Sequence, residues 1–131
     1  MLDLLKGNYY FEDEGVETDP ISGEKPYKLK YCVGGQWLRS GTDKYMPCYD
    51  PSTGEVIAYA PQCTSDEMES AVQAARTAFP GWSDTPVSKR VQVLYNMKHL
   101  VDKHLEELTY ILAREQGKKW EEAMGDVLKV N

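Results

Sequence analysis

The second half of the chain is dominated by apolar residues that recur every three or four positions. Between residues 86 and 116 they keep to one helical face: Val87, Val91, Leu94, Val101, Leu105, Leu108 and Leu112. This spacing predicts amphipathic helices, each of which must bury its apolar face against another layer of structure. The sequence DKHLEE is typical of a new helix start, so we expect a break near Lys103–His104 and helices over 86–102 and 104–116.

An earlier helix is predicted over 65–79. Thr64 and Glu67 have the spacing of a capping box, and Pro80–Gly81 is expected to end the helix. Its apolar positions also follow helical steps: Met68, Ala71, Val72, Ala75, Ala78 and Phe79.

The remaining helix ends also carry local signals. Thr85 is expected to cap the helix over 86–102, with Pro86 at its first position, where a missing N–H costs nothing. Gly117 is typical of a C-terminal cap, and 119–130 is predicted to form a further amphipathic helix.

Before residue 64 the pattern favours two β-hairpins. Gly34–Gly35 lies between β-forming residues and can adopt the positive φ angles of a tight turn. The stretch from Asp50 to Gly54 has turn chemistry and precedes the short strand EVIAY. Pro47 removes one backbone donor, so the strand around it is expected at an edge or irregular. We recognise no internal repeat.

Charge is unevenly distributed along the chain. Residues 1–27 carry seven acidic and two basic side chains, whereas the total net charge is −6. We therefore divide the chain into an acidic N-terminal arm, 1–27, and a nearly neutral body, 28–131. A nucleic-acid surface would need a basic patch, so we expect no nucleic-acid partner. No apolar run has the length of a membrane span and no leader sequence is evident, which favours a cytoplasmic protein with no membrane partner.

The chemistry-bearing residues do not form a recognisable site. Cys32, Cys48 and Cys63 are too far apart in sequence for a zinc site or disulfide framework and are expected to be small buried side chains. His99 and His104 have the wrong spacing for a metal pair on a helix and are expected on the surface.

Phosphate-binding patterns are also lacking. No glycine group has the spacing of a nucleotide fingerprint, and the lysines of EQGKK are expected in a solvated turn. We predict no catalytic, coenzyme-binding or metal-ligating residue in this chain.

The residues from Tyr31 to Val127 resemble the beginning of the aldehyde dehydrogenase superfamily. Four segments match it in order: YCVGGQWLRS, YDPSTGEVIAYAPQCT, EMESAVQAARTAFPGWSDTPVSKRVQVL and LAREQGKKWEEAMGDV. The second matches the family's N-P-x-T-G-E-x-I turn, with Asp50 where asparagine is usual. VIAYAPQCTSDEM, AFPGWSDTPVSKR and EQGKKWEEAMGDV are most similar to the methylmalonate-semialdehyde dehydrogenase branch. Residues 1–27 match nothing in the family, and Trp120 replaces a smaller residue.

The resemblance implies an α/β fold of which this chain holds only a mixed α and β part. Two N-terminal β-hairpins are followed by amphipathic helices, and the central parallel Rossmann-type sheet is expected to be absent. Residues 28–131 then correspond to the incomplete N-terminal part of a coenzyme-binding domain.

The family oxidises aldehydes or semialdehydes with NAD or NADP through a cysteine thioester, which water or coenzyme A releases. None of Cys32, Cys48 and Cys63 has the sequence context of the family's nucleophile. We therefore expect the chain to be inactive alone and to bind no coenzyme by itself. Its implied partners are the missing remainder of the dehydrogenase and further copies in a homo-oligomer.

Two alternatives stay open. The chain can be a non-catalytic interaction module derived from the family, which binds a partner through an uncovered helical face. It can also be a cryptic enzyme that uses Cys63 or Cys48.

Overall fold

The computed structural model describes residues 8, 10–19 and 23–129. The polypeptide divides into two compact units, a strand unit, Gly7–Thr77, and a helical unit that contains Ala78–Asn131. Strands occupy the first half of the chain and helices the second, which confirms the predicted mixed α and β character. The division predicted at residue 27 stays a prediction.

The strand unit contains a four-stranded sheet and a separate two-stranded sheet. The strands are β1 (Tyr10–Phe11), β2 (Tyr27–Leu29), β3 (Tyr31–Val33), β4 (Gln36–Leu38), β5 (Tyr45–Tyr49) and β6 (Val56–Pro61). The larger sheet has the order β1-β2-β6-β5, and the smaller sheet consists of β3 and β4. All neighbours are antiparallel except β2 and β6, which run parallel.

The β3–β4 pair surrounds Gly34–Gly35, as the sequence predicts. Val33 pairs with Gln36, which leaves a two-residue loop. Gly34 and Gly35 have φ angles of 59° and 77°. Positive φ at both positions matches the twist of the flanking strands and is readily reached only without a Cβ atom.

The β5–β6 pair surrounds the predicted turn at Asp50. The Gly54 N–H donates to the Asp50 carbonyl at 2.7 Å, and the Ser52 N–H donates to Asp50 Oδ1 at 2.8 Å. β5 lies at the sheet edge, and its register shifts between Cys48 and Tyr49. The edge position predicted from Pro47 is therefore confirmed. Proline has no N–H to donate, and an edge strand can accommodate it because its outer side makes no hydrogen bonds to a neighbouring strand.

A second turn of the same kind lies within the segment predicted to be an arm. DPISGE begins at Asp19 and DPSTGE begins at Asp50, so the expectation of no internal repeat is wrong. Residues 20–22 lie outside the described residues, but the bonds at both ends match. The Asp19 N–H donates to the Glu24 carbonyl and the Gly23 N–H to the Asp19 carbonyl, as Asp50 does with Glu55 and Gly54.

The described residues form helices α1 (Ser65–Ser83), α2 (Val87–Lys103), α3 (Leu105–Gln116) and α4 (Trp120–Leu128). The expectation that Pro80–Gly81 ends the first helix is wrong, since α1 continues for one more turn. A proline has a φ angle close to the helical value and removes only one backbone bond, so a final turn can follow it. The Asp84 N–H donates to the Pro80 carbonyl at 3.1 Å and completes that turn.

The start of α2 also differs from the prediction. The Thr85 hydroxyl donates to the Gly81 carbonyl at 2.8 Å, so it belongs to the end of α1 and does not cap α2. Pro86 is the N-cap residue, with ψ of 142° and no side-chain bond. The predicted break is confirmed at His104, and Gly117 is a left-handed C-cap with φ of 65°.

Apart from Pro26, the buried apolar residues of the described part of the chain lie in α4. Ala123 is 0% exposed and Val127 8%, and the neighbouring helix α3 contributes the fully buried Thr109. The described side chains of α1 and α2 include none that is buried. Of the helices in the described part of the chain, none combines the length and the apolarity needed to cross a membrane.

Candidate functional site

The thiols and imidazoles are dispersed over different elements. Cys32 lies exposed on β3, so the prediction of burial is wrong there, whereas Cys48 and Cys63 are half-buried. His99 is exposed, as predicted. His104 is half-buried and its Nδ1 lies 2.8 Å from Glu107 Oε2. Among residues 8, 10–19 and 23–129, no three histidine, cysteine, aspartate or glutamate side chains form a group that could hold a metal ion.

Glu67 is a carboxylate of the strand unit that accepts hydrogen bonds from three groups. It lies in the first turn of α1 and completes the predicted capping box with Thr64, whose N–H donates to it at 2.8 Å. The Ser40 hydroxyl also donates to it at 2.7 Å, and the Gly41 N–H at 2.8 Å. These bonds, Ser40 first, hold the pKa of Glu67 below its usual value, because each of them favours the ionised form.

This arrangement fastens the chain after β4 to the start of α1. The capping signal predicted the Thr64 contact, but nothing in the sequence indicated Ser40 and Gly41, because they lie in the loop after β4, 27 and 26 positions before Glu67. The Ser40 hydroxyl and the N–H groups of Gly41 and Thr64 all donate to this one carboxylate. The cluster therefore serves the fold and leaves no open acid or base for chemistry.

Of the two lysines of EQGKK, Lys119 is exposed as predicted, whereas Lys118 is not merely solvated. Lys118 forms an ion pair with Asp126, and Lys129 donates to the other oxygen of that carboxylate at 2.7 Å. These two lysines, Lys118 first, lower the pKa of Asp126 to about 2. The pairs connect the α3–α4 turn to the end of α4.

The largest unexplained feature is apolar surface on α1 and α2. Phe79 is 66% exposed on α1, and Leu94 is 64% exposed on α2. The other large exposed apolar side chains of these helices are Met68, Val72, Trp82, Val87, Val93, Tyr95, Met97 and Leu100. Large apolar side chains exposed in such number along a helix indicate a surface that contacts another part of a protein.

Within the helical unit, an open groove of about 480 Å³ lies between α2 and α3. It is lined by Val93, Asn96, Met97, Leu100, Val101, His104 and Leu108. A second hollow of about 340 Å³ shares Val101 and Leu108 with it and extends to Val127 of α4. The lining is almost wholly apolar and holds no convergent set of polar groups, so it suits a packed side-chain layer better than a small polar substrate.

A comparison with family models matches most of this chain. Residues 37–131 match the model of the aldehyde dehydrogenase family. The chain belongs to the aldehyde dehydrogenase family.

Curated relatives support the same family. A malonate-semialdehyde dehydrogenase of Geobacillus kaustophilus is 40% identical over 99 residues, which are 76% of this chain and 20% of that protein. The human methylmalonate-semialdehyde/malonate-semialdehyde dehydrogenase [acylating], mitochondrial, is 39% identical over 101 residues, 77% of this chain and 19% of that protein. The chain thus spans about a fifth of the length of these relatives. The predicted similarity to the methylmalonate-semialdehyde branch is confirmed.

Solved structures of the family share the fold. A Sinorhizobium meliloti protein, assigned as a methylmalonate-semialdehyde dehydrogenase and complexed with NAD, aligns with a TM-score of 0.75 at 27% identity. The alignment covers 79% of this chain and 21% of that one. The succinate-semialdehyde dehydrogenase of Burkholderia pseudomallei aligns with a TM-score of 0.72 at 31% identity, over 76% of this chain and 20% of its own.

Two places where a phosphate could be sought are the Gly34–Gly35 turn and the start of α1. Gly34 and Gly35 join two antiparallel strands and do not precede a helix. The first turn of α1 is acidic, with Asp66 and Glu67, and a carboxylate there repels a phosphate. Neither the Gly34–Gly35 turn nor the start of α1 therefore has the form of a phosphate-binding site.

Proposed function

We propose that this chain is the N-terminal portion of an NAD(P)-dependent aldehyde dehydrogenase of the methylmalonate-semialdehyde type. The complete enzyme would oxidise an aldehyde or semialdehyde through a cysteine thioester, with water or coenzyme A as acceptor. In this proposal the chain contributes structure, and the nucleophile, the coenzyme site and the homo-oligomeric contacts come from the remainder. A cytosolic location stays part of the same proposal.

The observation that carries the proposal is the exposed apolar surface of α1 and α2. Side chains such as Phe79 and Leu94 each gain about 1.5–3 kcal/mol when fully buried, and here they remain more than half exposed. The chain spans about a fifth of the length of relatives that share its fold. In this proposal the remaining four fifths of such an enzyme would pack against the apolar faces of α1 and α2.

A fragment complementation experiment tests the proposal. A Geobacillus malonate-semialdehyde dehydrogenase is produced without the segment equivalent to residues 37–131 and mixed with this chain. We expect neither part to reduce NAD with malonate semialdehyde and the mixture to do so. Reduction by this chain alone would instead support the cryptic enzyme that uses Cys63 or Cys48.

The contact surface is tested in the same assay with matched variants. Leu94→Asp places a charge on the exposed face of α2 and is expected to abolish the recovered activity. Gln92→Asp introduces the same charge at an exposed polar position of the same helix and should leave the recovered activity intact. Equal effects of the two substitutions would contradict a specific contact through Leu94.

The interaction module is the second candidate, and the same exposed surface favours it. It predicts a chain that unfolds cooperatively and has one defined size without any dehydrogenase remainder. The proposed fragment predicts strong binding of a hydrophobic dye to the uncovered helices, with a cooperative transition confined to the parts that have their own packing. Calorimetry and dye fluorescence on the isolated chain separate the two.

A further inference from the structure

Arg90 interrupts the exposed apolar face of α2. On a helix the neighbours of a residue lie three and four positions away, and for Arg90 they include Val87, Val93 and Leu94. All three of these side chains are more than half exposed. A cation therefore lies among the apolar side chains through which we expect α2 to contact another layer.

The guanidinium of Arg90 has a donor without an acceptor. Arg90 is half-buried, and its Nε atom is shielded from solvent with no hydrogen-bond partner in the described part of the chain. A buried donor that has no acceptor has lost its bond to water and gained none in return. The side chain cannot avoid this cost by releasing a proton, because a guanidinium stays charged in proteins. The donor is thus open to an acceptor that lies outside the described residues.

Helix α2 supplies no acid for this cation. Its sequence carries Lys89, Arg90, Lys98 and Lys103 against a single acid, Asp102. Asp102 forms an ion pair with Lys98 at 3.0 Å. It lies about 18 Å from Arg90 along the helix axis, at 1.5 Å per residue. A covering layer that was wholly apolar would therefore bury the charge of Arg90 without a partner, which is strongly unfavourable.

We propose that the layer covering α2 in the complete enzyme carries an aspartate or glutamate that pairs with Arg90, between apolar residues that pack against Val87 and Leu94. The N–H donors of a guanidinium lie in one plane, and a carboxylate can accept two of them at once. Such a pair fixes the register of the contact, since apolar packing is non-directional. The pair rests on the proposed function, because the covering layer belongs to the remainder of the dehydrogenase.

The variant Arg90→Met is measured first in the isolated chain. It keeps an unbranched side chain and removes the guanidinium. Because the Nε donor has no acceptor to lose, we expect the melting temperature to stay the same or to rise. Lys89→Met removes an equal charge at an exposed position about 100° around the helix and serves as the control. A melting temperature lowered by Arg90→Met alone would show that Arg90 already has its partner within this chain.

The fragment complementation assay then tests the contact. The activity recovered at increasing concentrations of the chain gives its apparent affinity for the dehydrogenase remainder. Arg90→Met should weaken this affinity at least roughly 30-fold, because the acid of the covering layer is buried without its cation. Lys89→Met should change it by less than about fivefold. A methionine at position 90 that supports binding as well as arginine does would overturn the proposal.

Carbodiimide cross-linking identifies the acid. Arg90→Lys keeps the positive charge and introduces an amine. This amine forms an amide with a carboxylate in contact with it, while the carbodiimide takes up the elements of water and becomes a urea. Mass spectrometry should find a cross-link from position 90 to an aspartate or glutamate of the remainder. An active mixture in which position 90 forms no such cross-link would contradict the pair.

The assay distinguishes failure of the pair from failure of the proposed function. If the unmodified chain recovers no activity with the remainder, the proposed function is contradicted, and the pair with it. If the unmodified chain recovers activity and Arg90→Met and Lys89→Met have equal effects, only the pair is contradicted.

Discussion

Helix α2 and the α3–α4 pair follow one another in the helical unit and carry apolar residues at the same helical spacing. The pair has a core, with Thr109 and Ala123 fully buried and Val127 nearly so. On α2 no described side chain is buried, and Leu94 and Tyr95 are exposed by more than 60%. Periodicity thus shows which face a helix would bury, but burial requires a second helix within reach. Here α4 supplies that helix for α3.

The largest expected effect comes from placing a charge in the α3–α4 core. Ala123→Asp buries a carboxylate without a partner and should lower the free energy of unfolding by about 3 kcal/mol or more. Ala75→Asp makes the same change at an exposed position of α1 and should cost under about 1 kcal/mol. Urea denaturation followed by circular dichroism measures both. Similar losses in the two variants would show that α3–α4 has no core of its own.

Truncation of one apolar side chain in each region gives a smaller contrast. Val127→Ala removes buried methyl groups and should cost about 1–2 kcal/mol, whereas Leu94→Ala on α2 should change the free energy of unfolding by under about 0.5 kcal/mol. The same urea measurement applies. A larger loss at Leu94 would mean that α2 is already covered in solution by another copy of the chain.

Replacing each of two glycines by alanine should change the stability of the chain in opposite directions. Gly117 has φ of 65°, so Gly117→Ala forces a Cβ into the left-handed region and should destabilise the α3–α4 turn by about 1 kcal/mol. Gly81 is helical and has no atom within 4 Å of an added Cβ. Gly81→Ala should therefore stabilise α1 by about 0.5–1 kcal/mol. Melting temperatures of the two variants should move in opposite directions, and a shared sign would contradict this account.

The smallest effect is the pH dependence of the α3–α4 connection. Lys118 and Lys129 lower the pKa of Asp126 from its ordinary value of 3.8 to about 2. A depressed pKa means that the folded state binds the proton less tightly than the unfolded state. The stabilisation is therefore complete above pH 3.8 and is lost as the pH falls towards 2.

Asp126→Asn removes this titrating group. The free energy of unfolding of the variant should therefore fall less between pH 3.8 and pH 2 than that of the unmodified chain. The readout is the urea midpoint measured at neutral pH and at several acidic values. Glu121→Gln neutralises an exposed acid in the first turn of the same helix and serves as the control. An acid limb that is identical in the Asp126→Asn and unmodified chains would contradict a role for these ion pairs.

Local signals predicted much of the fold because they act within a few residues. The Thr64–Glu67 capping box, the Gly34–Gly35 turn, the break at His104 and the Gly117 cap all depend on backbone geometry close to the residue concerned. The Pro80 prediction failed because a helix can continue past a proline when the next turn finds its own bonds. The family could likewise be predicted without the structure, since the four matching segments are read directly from the order of the residues.

Tertiary contacts decided what no local pattern contains. The pairing of β2 with β6, the bond from Val56 to Asp19, and the contact of Ser40 with Glu67 join residues that are 27 or more positions apart. The sequence determined the helices, their apolar faces and the family. Only the three-dimensional arrangement determined that α3 and α4 bury their faces while α1 and α2 do not, because burial depends on which surfaces meet in space.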